Sequence, residues 1–213
     1  DPLRAIVGLS GLLKRSVAGR LEEKEETLLH DILLNAEQLN IYVEAVLRYS
    51  RLSQRELHVM NLFDMEKICR RAADTASGER PEPALDLVIH SLPGARGDAP
   101  LVEQVFAILL DNAIRFACPA RPLKVEVSGQ IADGMAVYTV VDNGEGFPQE
   151  RAEDLFALFA TLGSKEQGNA AEGVGLALAQ RILSRHDGWM KAEGRLGEGA
   201  KFTIALPALS ELE

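Results

Sequence analysis

Cysteine is scarce in this chain: two among 213 residues, Cys69 and Cys118, with no Cys-x-x-Cys spacing. That excludes a disulfide scaffold or zinc module as the expected architecture and favours a reducing, cytoplasmic setting. No stretch approaches the ~18–20 consecutive apolar residues of a membrane span, and no secretory leader pattern is present, so direct membrane insertion is not expected. Cations are also in deficit: 23 Lys+Arg stand against 32 Asp+Glu, a formal charge of −9. A whole-surface nucleic-acid binder needs a basic footprint, so nucleic acid is not an expected partner. A local phosphate site built from backbone amides remains compatible with that charge. Internal repeats and low-complexity tracts are lacking. So is a Gly-Lys-Ser/Thr run, which removes a Walker A loop. The chain begins at Asp1-Pro2 without Met and reads as a piece of a longer polypeptide.

What is present falls into two regions of different texture. Residues 2–55 carry helical periodicity. Pro2 suits a first helical turn, where its missing N–H costs nothing. Leu3, Ile6, Val7, Leu9 and Leu13 mark one apolar side, residues 16–20 form a break, and a second run follows with Leu21, Leu28, Leu29, Ile32, Leu33, Ala36, Leu39, Val43, Val46 and Leu47. Steps of three and four predict two amphipathic helices in an antiparallel hairpin. A lone hairpin does not bury both stripes. A second copy completing a four-helix bundle is the favoured solution, with an intramolecular helical subdomain as the other. The second helix spans about 33 residues and the first about half that, by the extent of the 3.6-residue periodicity; matching arms imply that the first helix continues upstream of Asp1.

From residue 56 onward the pattern alternates. Strands are expected at 57–63, 84–92, 123–130, 135–141, 189–193 and 201–205, and helices at 64–76, 98–117, 150–159 and 173–186. Asp64 and Asp98 are placed to cap their helices, Ala132-Asp133-Gly134 signals a hairpin, and 161–172 reads as a mobile loop. Helices segregated from a mainly antiparallel sheet predict an α+β sandwich. The expected division is 1–55 and 56–213.

Four motifs carry candidate chemistry. In Asp142-Asn143-Gly144-Glu145-Gly146-Phe147 a carboxylate ends a strand, and two glycines permit positive φ and close approach to a flat ligand. A carboxylate there can accept from an exocyclic amine such as adenine's; alone, an Asp-Asn-Gly run is more often a turn. Glu172-Gly173-Val174-Gly175-Leu176 leads glycines into a helix start, which is a phosphate-binding arrangement or simply a loop before an amphipathic helix. In Leu109–Phe116, Asn112 and Arg115 share a helix face. An amide oxygen can help hold Mg²⁺, a guanidinium can meet phosphate, and Phe116 can cover an adenine face; alone, Asn112 reads as an ordinary helix residue. Gly197-Glu198-Gly199 by itself is a turn, and Phe156 and Phe159 are by default core anchors.

Taken in order, LLxNAxRF, DNGEGF, LFxLF, GxGLALA and GxGxxF resemble the N, G1-type, F, G2-type and final glycine boxes of sensor histidine kinases. The preceding hairpin is similar to that family's dimerisation and phosphotransfer helices, so the resemblance covers nearly the whole chain. The opening Asp-Pro-Leu-Arg further resembles phytochrome-type kinases, whose HDLQEPLR-like box carries the phosphate-accepting histidine four positions before Asp1. His30, His58, His90 and His186 do not occupy that position and are expected to be structural or exposed.

The resemblance implies a GHKL (Bergerat) ATP-binding domain with ATP and Mg²⁺ as cofactors. Asp142 would read the adenine amine, Gly144 and Gly146 would shape the pocket, and Phe116 would line it. Asn112 would bind Mg²⁺ and Arg115 would approach phosphate. Lys165, Gly173, Gly175 and Leu176 would also contact nucleotide, beneath a lid spanning about residues 160–172. The γ-phosphoryl would pass to a histidine upstream of residue 1, so no catalytic acceptor lies within the chain, and then to an aspartate of a response-regulator receiver domain. The implied partners are a second copy through residues 1–55, that receiver and an upstream sensor domain. Two departures stand out. Ile108 occupies the place of a further Asn one turn before Asn112, and Ala171 that of a glycine two before Gly173. The fold's hydrolytic ATPases, gyrase-like and Hsp90-like, carry a Glu general base at the position of Ile108, which an isoleucine does not replace. A kinase is thereby favoured over a hydrolytic ATPase. The other readings are a degenerate kinase serving as a dimerisation and docking module, and a phosphatase.

Overall fold

The computed structural model describes residues 2–17, 23–54, 56–78, 85–157 and 173–209. The described residues divide into two compact units, one comprising residues 2–17 and 23–54 and the other residues 56–78, 85–157 and 173–209.

In the first unit, α1 (Pro2–Ser16) packs against α2 (Glu23–Gln54). Pro2 is the first helical residue, where it forfeits no intrahelical bond. Leu29, Ala36 and Leu52 of α2 are buried, yet Ile6, Leu9, Leu13, Leu28, Ile32, Leu39, Val43 and Val46 remain 44–65% exposed. The hairpin is thus present, with much of its apolar surface open; the four-helix bundle is not evident in a single chain.

The second unit is an α/β sandwich. Its short strands β1 (Met60–Leu62) and β3 (Ala95–Gly97) pair with each other. A five-stranded sheet is formed by β2 (Asp86–Ile89), β4 (Lys124–Ala132), β5 (Met135–Asp142), β6 (Trp189–Arg195) and β7 (Gly199–Pro207), in the order β2-β4-β5-β7-β6. Only the β2–β4 pairing within this sheet is parallel. The β4–β5 hairpin turns at Asp133 and Gly134, both with positive φ (51° and 74°), as a two-residue primed turn requires. Helices α3 (Met65–Ser77), α4 (Ala99–Arg115) and α5 (Gly175–Arg185) complete the layer, with α4 packed against both of the others.

The core forms where α4 meets the sheet. Val102, Val105, Phe106, Leu109 and Leu110 recur at helical spacing, and Val125, Val127, Tyr138, Val140 and Ile204 alternate along their strands; all are buried. Phe106 stands edge-on to Tyr138 at 5.7 Å, and the buried Tyr138 hydroxyl donates to the Pro93 carbonyl at 2.6 Å. Asp64 and Asp98 cap α3 and α4 as the sequence predicts, accepting from the backbone N–H of Lys67 and Leu101.

Other expectations need correction. Residues 150–159 do not form one helix: two 3₁₀ turns, Gln149–Arg151 and Asp154–Phe156, occupy the described part. Pro148 offers no side-chain cap there, and the Gln149 side chain is engaged with the Gly194 N–H at 2.9 Å. The strands expected at 57–63 and 84–92 shrink to β1 and β2, and β3 has no counterpart in the sequence reading. The helix expected from 173 begins at Gly175. Residues 158–172, holding Phe159, the loop and Ala171, lie outside the described residues.

Candidate functional site

Helix α4 is the spine of the site. Near its middle, the Ile108 side chain faces Gly175 at the start of α5; a Cβ added to Gly175 would lie 3.2 Å from Ile108 Cγ2. One turn on stands Asn112, and the helix ends at Phe116, whose N–H bonds the Asn112 carbonyl. Ile108 and Phe116 are eight residues apart, about 12 Å along the axis at 1.5 Å per residue. The glycine start of α5 therefore meets α4 at one end of this span and the DNGEGF loop meets it at the other.

That loop touches α4 through backbone. Glu145 N–H donates to the Phe116 carbonyl at 2.8 Å, and a Cβ at Gly144 would collide with the same oxygen. Phe116 itself is 37% exposed, leaving ring surface available. Asp142 closes β5 and is only 8% exposed. Its Oδ1 accepts two backbone N–H groups, from Gly144 at 2.8 Å and Ala200 at 3.2 Å; Oδ2 has no partner among the described residues. Burial raises the carboxyl above its ordinary pKa, while the two N–H groups and the Arg121 charge oppose that rise.

The turn between β6 and β7 encloses the same carboxylate. A side chain at Gly146 (φ 66°) would collide with the Arg195 and Gly199 carbonyls, and one at Gly199 (φ 107°) with the Asp142 carbonyl. Glu145 accepts from Gly197 N–H at 2.6 Å. Phe147 and Phe202 are buried with ring centroids 6.4 Å apart. The Gly197–Phe202 run, a plain turn when read alone, is thus the wall against which the DNGEGF loop is built.

The remaining expected residues divide. Arg115 points its guanidinium to Asp111, 3.2 Å away, one turn back along α4. Gly173 is buried and Leu176 half-buried beside the start of α5. The residue before α5, Val174, contributes no side-chain cap, so the helix's leading N–H groups receive no such acceptor. Lys165 lies outside the described residues. Among the described residues no group of three or more His, Cys, Asp and Glu is placed to hold a metal. The donor expected for Mg²⁺ from the sequence is the Asn112 amide with ligand phosphate and water, which suits an ion that keeps several waters.

One residue, Arg121, escaped the sequence reading as a site-builder, while His186 is structural as expected. Arg121 donates to the carbonyls of Asn143, Gly144 and Gly197; a lone cation between Ala120 and Pro122 carries no motif. His186, expected to be structural or exposed, is buried at the end of α5. Its Nε2 accepts from Asp98 N–H at 3.0 Å, and its Nδ1 donates to the Ile182 carbonyl at 2.7 Å in the matching tautomer. It ties the end of α5 to the start of α4.

Residues 97–210 match the family described as histidine kinase-, DNA gyrase B-, and HSP90-like ATPase. The phytochrome-like protein Cph1 of Synechocystis is 23% identical over 207 residues, covering 97% of this chain and 27% of that protein. The sensory histidine kinase/phosphatase NtrB of Rhodobacter capsulatus is 28% identical over 223 residues, covering 97% of this chain and 58% of that protein. Among solved structures, full-length ShkA in complex with AMPPNP aligns with a TM-score of 0.67 at 22% identity, covering all of this chain and 44% of that one. The Acinetobacter baumannii histidine kinase AdeS aligns with a TM-score of 0.64 at 24% identity, covering 97% of each chain. The chain spans about a quarter of the length of its phytochrome relatives, 27% in the case of Cph1. With more than half of its residues inside the matched family, the chain belongs to the histidine kinase-, DNA gyrase B- and HSP90-like ATPases, and its kinship there is with the ATP-binding transmitter regions of sensor histidine kinases.

Proposed function

We propose that this chain is the transmitter module of a two-component sensor histidine kinase. Its second unit binds ATP with Mg²⁺ and delivers the γ-phosphoryl to a histidine in chain preceding Asp1. Transfer forms a P–N bond and breaks the bond to the β–γ bridging oxygen, with ADP leaving. The phosphoryl then passes to an aspartate of a response-regulator receiver. The observation that carries this reading is Asp142: a buried carboxylate with Oδ1 fixed by two N–H groups and Oδ2 left for an incoming amine.

The residues take the following roles. Asp142 accepts the adenine N6 amine, Gly144 and Gly146 allow the purine to approach backbone, and Phe116 supplies apolar surface against it. Gly173, Gly175 and Leu176 set the start of α5 against the phosphates, where N–H groups and the helix dipole favour negative charge. Asn112 holds Mg²⁺, and Arg115 turns from Asp111 to phosphate. Mg²⁺, when bound, would supply positive charge against the phosphates; positioning and charge neutralisation are what phosphoryl transfer chiefly needs.

Residues 1–55 form the dimerisation hairpin, with the exposed leucines, isoleucines and valines of α1 and α2 covered by a second copy. The receiver docks on that bundle, and a sensor domain precedes it. Use of ATP suits a cytoplasmic setting, and no helix among the described residues is long and apolar enough to cross a membrane.

A second reading, a degenerate kinase retained for docking or as a phosphatase, is favoured by one observation. Ile108 faces Gly175 with a hydrocarbon side chain where relatives would place a second amide. Labelling separates the readings. With [γ-³²P]ATP and Mg²⁺, the chain as it stands is expected to bind nucleotide without retaining acid-labile phosphate, and a chain extended upstream through the histidine to retain it. Absence of label on the extended chain, with ATP bound, would favour the degenerate reading.

A further inference from the structure

Arg121 belongs to none of the glycine or asparagine boxes, yet it reaches both turns that enclose Asp142. Nε donates to the Asn143 carbonyl at 2.7 Å, and Nη2 donates to the carbonyls of Gly144 at 2.9 Å and Gly197 at 2.6 Å. The planar guanidinium holds several donors in a fixed fork, which a lysine ammonium on its flexible stem does not reproduce.

The peptide groups involved make the contact consequential. The Asn143 carbonyl and the Gly144 N–H belong to one planar peptide unit, so their orientations are locked together. Arg121 holds the carbonyl side of that unit, and the N–H side donates to Asp142 Oδ1 at 2.8 Å. The next peptide unit is pinned in the same way. Its Gly144 carbonyl faces Arg121, and its Glu145 N–H donates to the Phe116 carbonyl at 2.8 Å. A chain of hydrogen bonds thus runs from the exposed guanidinium through a peptide plane to the buried carboxylate. The positive charge adds to the effect by favouring the ionised carboxylate.

We infer that Arg121 is the positioning residue for base selectivity: by fixing the Asn143–Gly144 peptide plane against the Gly197 turn, it holds Asp142 with Oδ2 presented to a purine 6-amino group. This rests on the reading of Asp142 as the amine acceptor. It concerns orientation and not a direct contact of Arg121 with nucleotide.

The test is calorimetric titration of the 213-residue chain with ADP and with IDP, which carries an oxo group where ADP carries the amine. Arg121→Ala should weaken ADP binding about tenfold, the scale of one well-placed charge-assisted interaction, and leave IDP within about twofold. Arg121→Lys should fall between wild type and Arg121→Ala for ADP, and it serves as the measured variant if Arg121→Ala does not fold by circular dichroism. Equal weakening of both nucleotides, or unchanged ADP affinity, in the folded variants overturns the inference. A wild-type chain without preference for ADP over IDP overturns the Asp142 reading and the inference with it. A preference that Asp142→Asn abolishes and Arg121→Ala preserves overturns the inference alone.

Discussion

At the scale of single residues, the proton on Asp142 serves fold and ligand in opposite senses. Burial raises its folded pKa above the ordinary 3.8, so the folded state binds more protons than the unfolded one between those values. Its contribution to stability is therefore greatest below the unfolded value and is lost as pH rises through the folded one. Amine recognition needs the ionised form and runs the other way. The preference for ADP over IDP is expected to fall on acidification at a pH above the range of an exposed aspartate, and the ratio of the two affinities isolates this from phosphate titration. A preference that holds constant to the ordinary aspartate range would contradict the raised pKa. The cysteines give a second prediction at this scale. Burial pushes the Cys69 thiol up to about 12, and since the thiolate is the reactive form, Cys69 should resist an aromatic disulfide reagent at pH 8 in the native chain. Cys118 is partly exposed. One thiol titrated before denaturation and two after it is the expected count.

At the scale of elements, α4 shows what sequence makes legible. Its apolar spacing, its Asp98 cap and the position of Asn112 were all readable, because a helix buried on one side repeats every three or four residues and its cap is a local side-chain-to-backbone bond. The hairpin at Asp133-Gly134 was readable for the same local reason. What was hidden depends on remote partners. Strand β3 is three residues long and exists by pairing with β1. The Gly197–Gly199 turn looks ordinary until the DNGEGF loop is laid against it. Arg121 acts on carbonyls 22 to 76 residues away, and His186 on an N–H 88 residues away. No window of sequence contains both ends of those bonds. Two substitutions test the element itself. Asp98→Ala removes acceptors for Leu101 N–H and His58 N–H, and should lower unfolding free energy by about 1–2 kcal/mol in urea melts. Ile108→Asn places a second amide one turn before Asn112. It should tighten ADP binding in Mg²⁺ and leave binding in EDTA unchanged; equal change in both conditions would remove the metal-site interpretation of that departure.

At the scale of the whole molecule, the two units carry different obligations. The second satisfies its own core. The first leaves many of its described large apolar side chains open along α1 and α2, a surface that soluble monomers rarely expose. A second copy covers such a face in a bundle. Sedimentation velocity of the chain should therefore report a dimer, and the double variant Ile32→Glu, Val43→Glu a monomer with its nucleotide affinity intact. A wild-type monomer across the micromolar range would contradict the bundle. The net charge of −9 also takes on meaning at this scale. On the proposed function, nucleotide phosphate would be held locally, by the α5 start, Arg115 and Mg²⁺, since a negative surface as a whole repels it.

The central claim is that Asp142 reads a purine amine. Because Oδ1 is committed to two N–H donors, the Asp142→Asn side chain must place its oxygen there and its NH₂ where Oδ2 stood, so that a donor faces the adenine donor and matches the oxo group of hypoxanthine. Calorimetric titration of wild type and Asp142→Asn with ADP and IDP is the direct measurement. The account predicts ADP preferred by the wild type and the preference reversed in the variant; equal preference for ADP in both proteins, or no binding of either nucleotide to the wild type at millimolar concentration, would contradict it.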